Sequence, residues 1–217
     1  MMKQNSVFRK EALNALEGNW GTSVILIIVF YVITMAVSWG GAFICKPLGE
    51  AGAIISNLIA LVMLPMSFAI IVAFLKIFRK ETVGVAYLFA YYKEGRVWTT
   101  MLLKGIYTIL WTLLLIIPGI IKSYSYAMTE YIMKDDQTIS NNAAIEKSMA
   151  MMQGKKMKLF LLDLSFIGWI ILALLTFGLG FLLLTPYMYT ARAAFYEDLK
   201  AELEAGQTEE VVIKIEE

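Results

Sequence analysis

Four ionisable residues fall inside the most apolar parts of this sequence: Lys104, Glu130, Asp163 and Arg192. A charge in hydrocarbon is costly, so such residues face a protein interior or a wet cavity and take a partner of opposite sign. About the Pro118-Gly119 break, Lys104 falls level with Met133 and less than a turn from Glu130. About a second turn at Leu179, Asp163 and Arg192 fall at similar depth, within one or two turns of each other. Two such pairs suit either of two uses. They could line a polar path for a proton, an ion or an anionic headgroup. They could instead be ion pairs that fix the register of two helical hairpins near the cytoplasmic interface, where snorkelling lowers the cost. The structural use is the one expected, because both pairs count closer to the inner face than to the midplane. Lys122, Tyr126 and Thr129 join Glu130 in a polar stripe at helical spacing. Ser123 and Ala127 form a small-xxx-small pair, which helix packing explains without a ligand. The tyrosines at 124, 126 and 131 read as interfacial.

Beyond these residues, little in the sequence could do chemistry. There is no histidine, which removes the commonest general base near neutral pH and the commonest transition-metal ligand. Cys45 is alone, so no disulfide and no CxxC motif can form within the chain, and nothing basic flanks it to make a reactive thiolate. No GxxxxGK[ST], GxSxG, HExxH or DxDxDG pattern occurs. Asp135-Asp136 is an adjacent pair in a polar loop, and sequence neighbours do not converge on one site. No enzyme activity, cofactor or metal is expected. A net charge of +1 gives no global basic field, so nucleic acid is not an expected partner.

The elements that position the charges are membrane helices. Hydrophobic residues make up 59% of the 217 and charged residues 17%, against roughly half and roughly a quarter in soluble domains. The excess is gathered in blocks of about 18 to 25 residues, the length that crosses a bilayer. Spans are predicted at about 22–38, 53–78, 98–117, 120–133, 159–177 and 181–196, within a single polytopic domain 1–199 followed by an acidic cytoplasmic tail 200–217. Residues 39–52 read as a glycine-rich loop, Pro65 as a kink in the second span, and Pro118-Gly119 as the bend of the third pair. The limb 120–133 is about 21 Å as a helix and so is short or re-entrant. Ala36-Val37-Ser38 loosely fits a signal-peptidase site, but the long amphipathic preface argues against cleavage.

Short amphipathic or aromatic segments at 6–17, 83–92 and 140–153 precede EGNWGTSVILI, EGRVWTTMLLK and QGKKMKLFLLD, each of which opens an apolar block. Such segments suit the membrane interface. The predicted fold is an all-α membrane protein of about six transmembrane or membrane-embedded helices in three hairpins, each preceded by a short interfacial helix. Basic residues cluster before the first span, at 76–96, at 134–158 and after 192. Positive-inside bias places all four clusters, and both termini, on the cytoplasmic side of the cytoplasmic (inner) membrane, so 97–133 must go out and return.

Several motifs carry a family resemblance: LEGNWG, PGIIKSYSYAMTEYI, AIEKSM, MMQGKK, KLFLLDLSFIGW and PYMYT followed by AAFYEDL. Together they resemble the bacterial integral membrane family known as domain of unknown function 975, over about residues 8–199, with Met157 standing where an aromatic is expected. The resemblance brings no activity or binding site with it. The first expectation is therefore a non-enzymatic membrane protein acting as a scaffold, assembly factor or accessory subunit, in contact with membrane lipids and with a protein partner or a second copy of itself. The alternative is a small transporter or lipid-handling protein with a polar intramembrane path through Lys104, Glu130, Asp163 and Arg192.

Topology is directly testable. In a Cys45→Ser background, Lys93→Cys and Gln153→Cys are each expected to resist an impermeant thiol reagent in intact cells. Labelling of Gln153→Cys from outside would contradict the return of the central stretch.

Overall fold

The apolar blocks fold into helices that break often, and each break has a local cause. The computed structural model describes residues 2–216, with side chains through residue 206, and is all-helical over them. Three runs are long and apolar enough to cross a membrane: 20–78, 95–114 and 156–175.

Helix α1 (Asn5–Leu16) buries Phe8, Ala12 and Leu16. Its apolar face covers the final helix, where the rings of Phe8 and Phe195 are 5.4 Å apart, and Leu13 is left exposed. Helix α2 (Trp20–Cys45) continues through the first half of the predicted loop 39–52. The turn shrinks to a 3-10 segment, Lys46–Leu48. Gly41 serves close packing instead of a bend: Ser56 and Ile59 of α3 (Gly49–Ala60) lie against it. A second 3-10 turn, Leu61–Met63, then leads into α4 (Leu64–Phe78), with Pro65 in the first turn, where its missing N–H leaves no bond unmade. The predicted interfacial segment 83–92 contains a 3-10 helix, Val85–Phe89.

Helix α5 (Gly95–Leu114) gives way at Leu115, whose backbone is extended, to α6 (Ile116–Ser125). The bend therefore lies three residues before Pro118 rather than at Pro118-Gly119. A proline ring clashes with the carbonyl four residues back, here that of Leu114, so the helix has to end there and restart with Pro118 in its first turn. The expected limb 120–133 is divided too, with α7 (Thr129–Asp135) separate from α6. Helix α8 (Asn141–Met151) causes that division. Its Ser148 hydroxyl donates to the Ser125 carbonyl at 2.8 Å and accepts from the Met128 N–H at 3.1 Å, filling the gap in the backbone ladder. Ser140 sits at the N-cap of α8 but makes no side-chain capping bond.

The predicted span 159–177 is likewise two helices, α9 (Lys156–Leu164) and α10 (Ile167–Leu175), with Arg9 reaching the Ser165 carbonyl at the junction. After a turn in which Phe177 and Gly178 have positive φ, α11 (Phe181–Glu216) carries Pro186 within it. The expected tail 200–217 lies partly outside the described residues. Three fold-backs thus organise the chain, and each ends with a glycine pressed on the residue seven positions earlier. A Cβ on Gly52 would strike the Cys45 carbonyl, one on Gly119 would strike Thr112, and one on Gly180 would strike Ala173.

At the end away from the fold-backs, ion pairs tie the segments together. Arg79 grips Asp135 through Nη1 and Nη2, at 2.7 and 2.8 Å, and reaches Glu197 through Nε at 2.5 Å. Lys200 and the Tyr196 hydroxyl donate to the same Asp135, at 2.7 and 3.0 Å. Burial alone would push the Asp135 carboxyl up, but these bonds outweigh it and lower it from 3.8 to about 2. A depressed folded-state value means that the stabilisation is full above about pH 4 and is lost as the pH falls through about 2. In detergent at pH 7, Asp135→Asn is expected to destabilise by about 1 to 2 kcal/mol, the worth of charge-assisted bonds discounted for partial exposure. The gap in melting temperature from wild type should close between about pH 4 and pH 2; a gap constant over that window would contradict the assignment.

Candidate functional site

The α5–α6 fold-back brings opposite ends of the central stretch together in antiparallel order. Thr112 meets Gly119, Lys122 Nζ lies 4.7 Å over the Trp111 ring, and the rings of Tyr107 and Tyr126 are 6.4 Å apart. Continuing that register, Lys104 Nζ donates to Glu130 Oε1 at 2.5 Å. Lys104 stands near the midpoint of the 20-residue α5, and Glu130 is buried in the first turn of α7. The α10–α11 fold-back does the same for the second pair. Gly180 closes on Ala173, and further along Arg192 grips Asp163 through Nε at 3.0 Å and Nη2 at 2.7 Å. Asp163 also accepts from the Tyr124 hydroxyl at 3.0 Å, so α6 is tied to the α9–α11 pair.

That bond places the two pairs side by side. Lys104, Glu130 and Arg192 line one cavity of about 340 Å³, together with Thr108, Ser123, Tyr124, Tyr131 and Tyr189. Arg192 and Tyr189 also border a smaller cleft of about 210 Å³ with Thr185 and Met188. The remaining stripe residues go elsewhere. Lys122 covers Trp111, Tyr126 is buried against Tyr107, and the buried Thr129 hydroxyl donates to the Tyr126 carbonyl at 2.9 Å. The break at Tyr126–Met128 explains the dispersal, because a stripe counted at helical spacing loses its phase where the helix stops.

The tyrosines were the residues hardest to place from sequence. Tyr124 and Tyr131 reach the cavity rather than an interface, and Tyr189, on α11, had given no signal of its own. The spacing of Tyr189 and Arg192 on one helix face was the available clue. Among the described residues no group of three or more His, Cys, Asp or Glu is placed to hold a metal ion. The arrangement offers charge, hydroxyl groups and room, which suits binding or proton passage.

Exchange of the second pair tests whether it holds the fold together. Neutralising Asp163 or Arg192 alone is expected to cost on the order of 1 to 3 kcal/mol, because the partner charge is left uncompensated. Exchanging them (Asp163→Arg with Arg192→Asp) should recover much of that stability, less the lost Tyr124 bond. Single changes that melt like wild type in detergent would end the claim that this pair stabilises the fold.

No curated protein and no solved structure gives a significant match to this chain. Residues 105–203 match the family model described as "Protein of unknown function (DUF975)". The matched stretch begins one residue after Lys104 and contains Glu130, Asp163 and Arg192, while the LEGNWG motif lies before it. The match supports assignment of this part of the chain to that family.

Proposed function

We propose that this is a non-enzymatic, multi-pass protein of the bacterial cytoplasmic membrane, with both termini on the cytoplasmic side, acting as a scaffold, assembly factor or accessory subunit. About six membrane-embedded helices in three hairpins carry it. One observation supports this reading above the others, the division of the molecule into two unlike ends. Around the fold-backs, large side chains such as Phe43, Leu113, Leu114, Ile116, Leu175 and Phe177 are exposed, which suits lipid. At the far end Arg79, Asp135, Glu197 and Lys200 form a bonded network, which suits the headgroup region and water. The basic clusters fall at that end, in keeping with a cytoplasmic face.

A second reading, handling of an anionic lipid or ion, has its own supporting observation: the Lys104–Glu130 pair and Arg192 of the other pair line one cavity instead of being sealed in separate contacts. Gentle detergent extraction followed by mass spectrometry of co-purified proteins and lipids tests both. A stoichiometric protein partner, or a stable homo-oligomer, is expected if the chain is a scaffold. Enrichment of anionic lipid several-fold over the bulk membrane is expected if it handles lipid. A lone monomer with bulk lipid composition would overturn both.

A further inference from the structure

The charged groups around the cavity are not equally presented. Glu130 and Asp163 side chains are 3% and 14% exposed, whereas those of Lys104 and Arg192 are 20% and 38% exposed. Asp163 stands outside the cavity lining, Glu130 reaches the wall with its Oε1 taken by Lys104, and each cation is more exposed than the carboxylate it pairs with. Asp163 is covered further by the Tyr124 hydroxyl. Arg192 uses Nε and Nη2 on Asp163, so Nη1 has no acceptor among the described residues. Lys104 has three N–H bonds and gives one to Glu130.

The hydroxyl groups follow the same trend. Ser123 and Thr108 already donate, to the carbonyls of Ile120 and Lys104, at 2.7 and 2.8 Å. The rings of Tyr131 and Tyr189 are packed in the core, but both residues line the cavity; neither hydroxyl makes a hydrogen bond among the described residues, and neither is among their fully enclosed unmatched polar atoms, so both open into the cavity. A hydroxyl that opens into a cavity is free to donate to water or to a ligand there. The wall therefore offers several free N–H and O–H donors against few free acceptors, since Glu130 Oε1 and both Asp163 oxygens are already bonded. An oxyanion, which brings only acceptors, is the complement of such a surface.

We propose that this cavity binds the phosphate of an anionic phospholipid from the cytoplasmic leaflet, held by Arg192 and Lys104 with Tyr131 and Tyr189. Lipid handling, the second reading above, is the premise of this assignment. The adjoining cleft favours a lipid over a small anion. Thr185, Met188, Tyr189 and Arg192 recur on one face of α11, so the cleft extends about 10 Å from the guanidinium toward the third fold-back. The Tyr31 hydroxyl of α2 lies 3.5 Å from that of Thr185. A phosphate at Arg192 with acyl chains directed toward the fold-backs has the orientation of a lipid whose headgroup lies on the side of the Arg79–Asp135 network.

Inorganic phosphate shares this acceptor chemistry, so the experiment includes it. The full chain, delipidated in a maltoside detergent, is titrated separately with phosphatidylglycerol, phosphatidylcholine and inorganic phosphate, and bound species are read by native mass spectrometry and melting temperature. Phosphatidylglycerol is expected to bind at least tenfold more tightly than phosphatidylcholine, with millimolar inorganic phosphate leaving that binding unchanged. Phosphate that displaces the lipid and itself raises the melting temperature would identify a free anion as the ligand and overturn the lipid assignment.

Two variants locate the site. Tyr131→Phe combined with Tyr189→Phe removes two unpartnered hydroxyls while keeping the rings that stack on Tyr196 and Phe74. It should leave the lipid-free melting temperature unchanged and weaken phosphatidylglycerol binding about fivefold to tenfold. Ser123→Leu fills the cavity without touching either ion pair and should weaken binding at least tenfold. If both variants keep wild-type affinity and selectivity, the cavity assignment is overturned while lipid handling stands. If the wild-type protein shows no preference for phosphatidylglycerol and retains no anionic lipid on purification, both fall together.

Discussion

Backbone groups freed by a helix break need partners, and inside an apolar layer water does not supply them. This chain breaks its helices repeatedly, and side chains from other segments fill several of the gaps. Ser148 joins the Ser125 carbonyl to the Met128 N–H across the α6–α7 break. Arg9 reaches the Ser165 carbonyl between α9 and α10. Beyond α7, Arg96 collects the carbonyls of Met133, Asp136 and Ile139 at 3.0 to 3.3 Å. In the last turn the supply is local, with Thr176 accepting from the Gly180 N–H at 2.8 Å. The short helices α1 and α8 are therefore parts of the bundle, because without them these junctions would carry unmatched polar groups.

The cavity follows from the same breaks. Had α6 and α7 formed one straight helix, the face carrying Lys122, Tyr126 and Thr129 would have continued to Glu130. Interrupted at Tyr126–Met128, the chain keeps Tyr124, Ala127, Glu130 and Tyr131 together at the wall. Tyr124 then bonds Asp163, which is already held by Arg192, so one hydroxyl couples two fold-backs that are otherwise separate in sequence. Rigid elements hold the donors of the site: Lys104 on α5, and Tyr189 and Arg192 on α11. Binding groups fixed to helices lose less freedom on meeting a ligand than groups on loops would.

How much of this was legible depended on whether a feature is set by rise along a helix or by contact between segments. Lys104 with Glu130, and Asp163 with Arg192, could be matched because residues equidistant from a turn lie at equal depth on antiparallel limbs. That Arg192 lines one cavity with Lys104 and Glu130 was not legible, since it depends on Tyr124 crossing between fold-backs. Pro118 marked a bend within a few residues, but its ring acts on the carbonyl of Leu114, so the bend fell upstream. Gly40-Gly41 looked like a loop by composition; α3 packed against Gly41 turned it into helix. The division of 120–133 was invisible because its cause, Ser148, lies on another helix.

The glycine at each fold-back has a consequence for how the chain is made. Gly52, Gly119 and Gly180 each rest on a residue only seven positions earlier, so the closing contact at every tip lies within a few helical turns of sequence. Contacts this local need little loop-closure entropy and form early. Each tip can close as soon as its own segment has been synthesised, without waiting for the rest of the bundle. The later event is docking, in which Arg79 finds Asp135 and Glu197, and Tyr124 finds Asp163. Assembly then becomes a series of local tip closures followed by association of the closed segments, with local steric fit governing the first and charge governing the second.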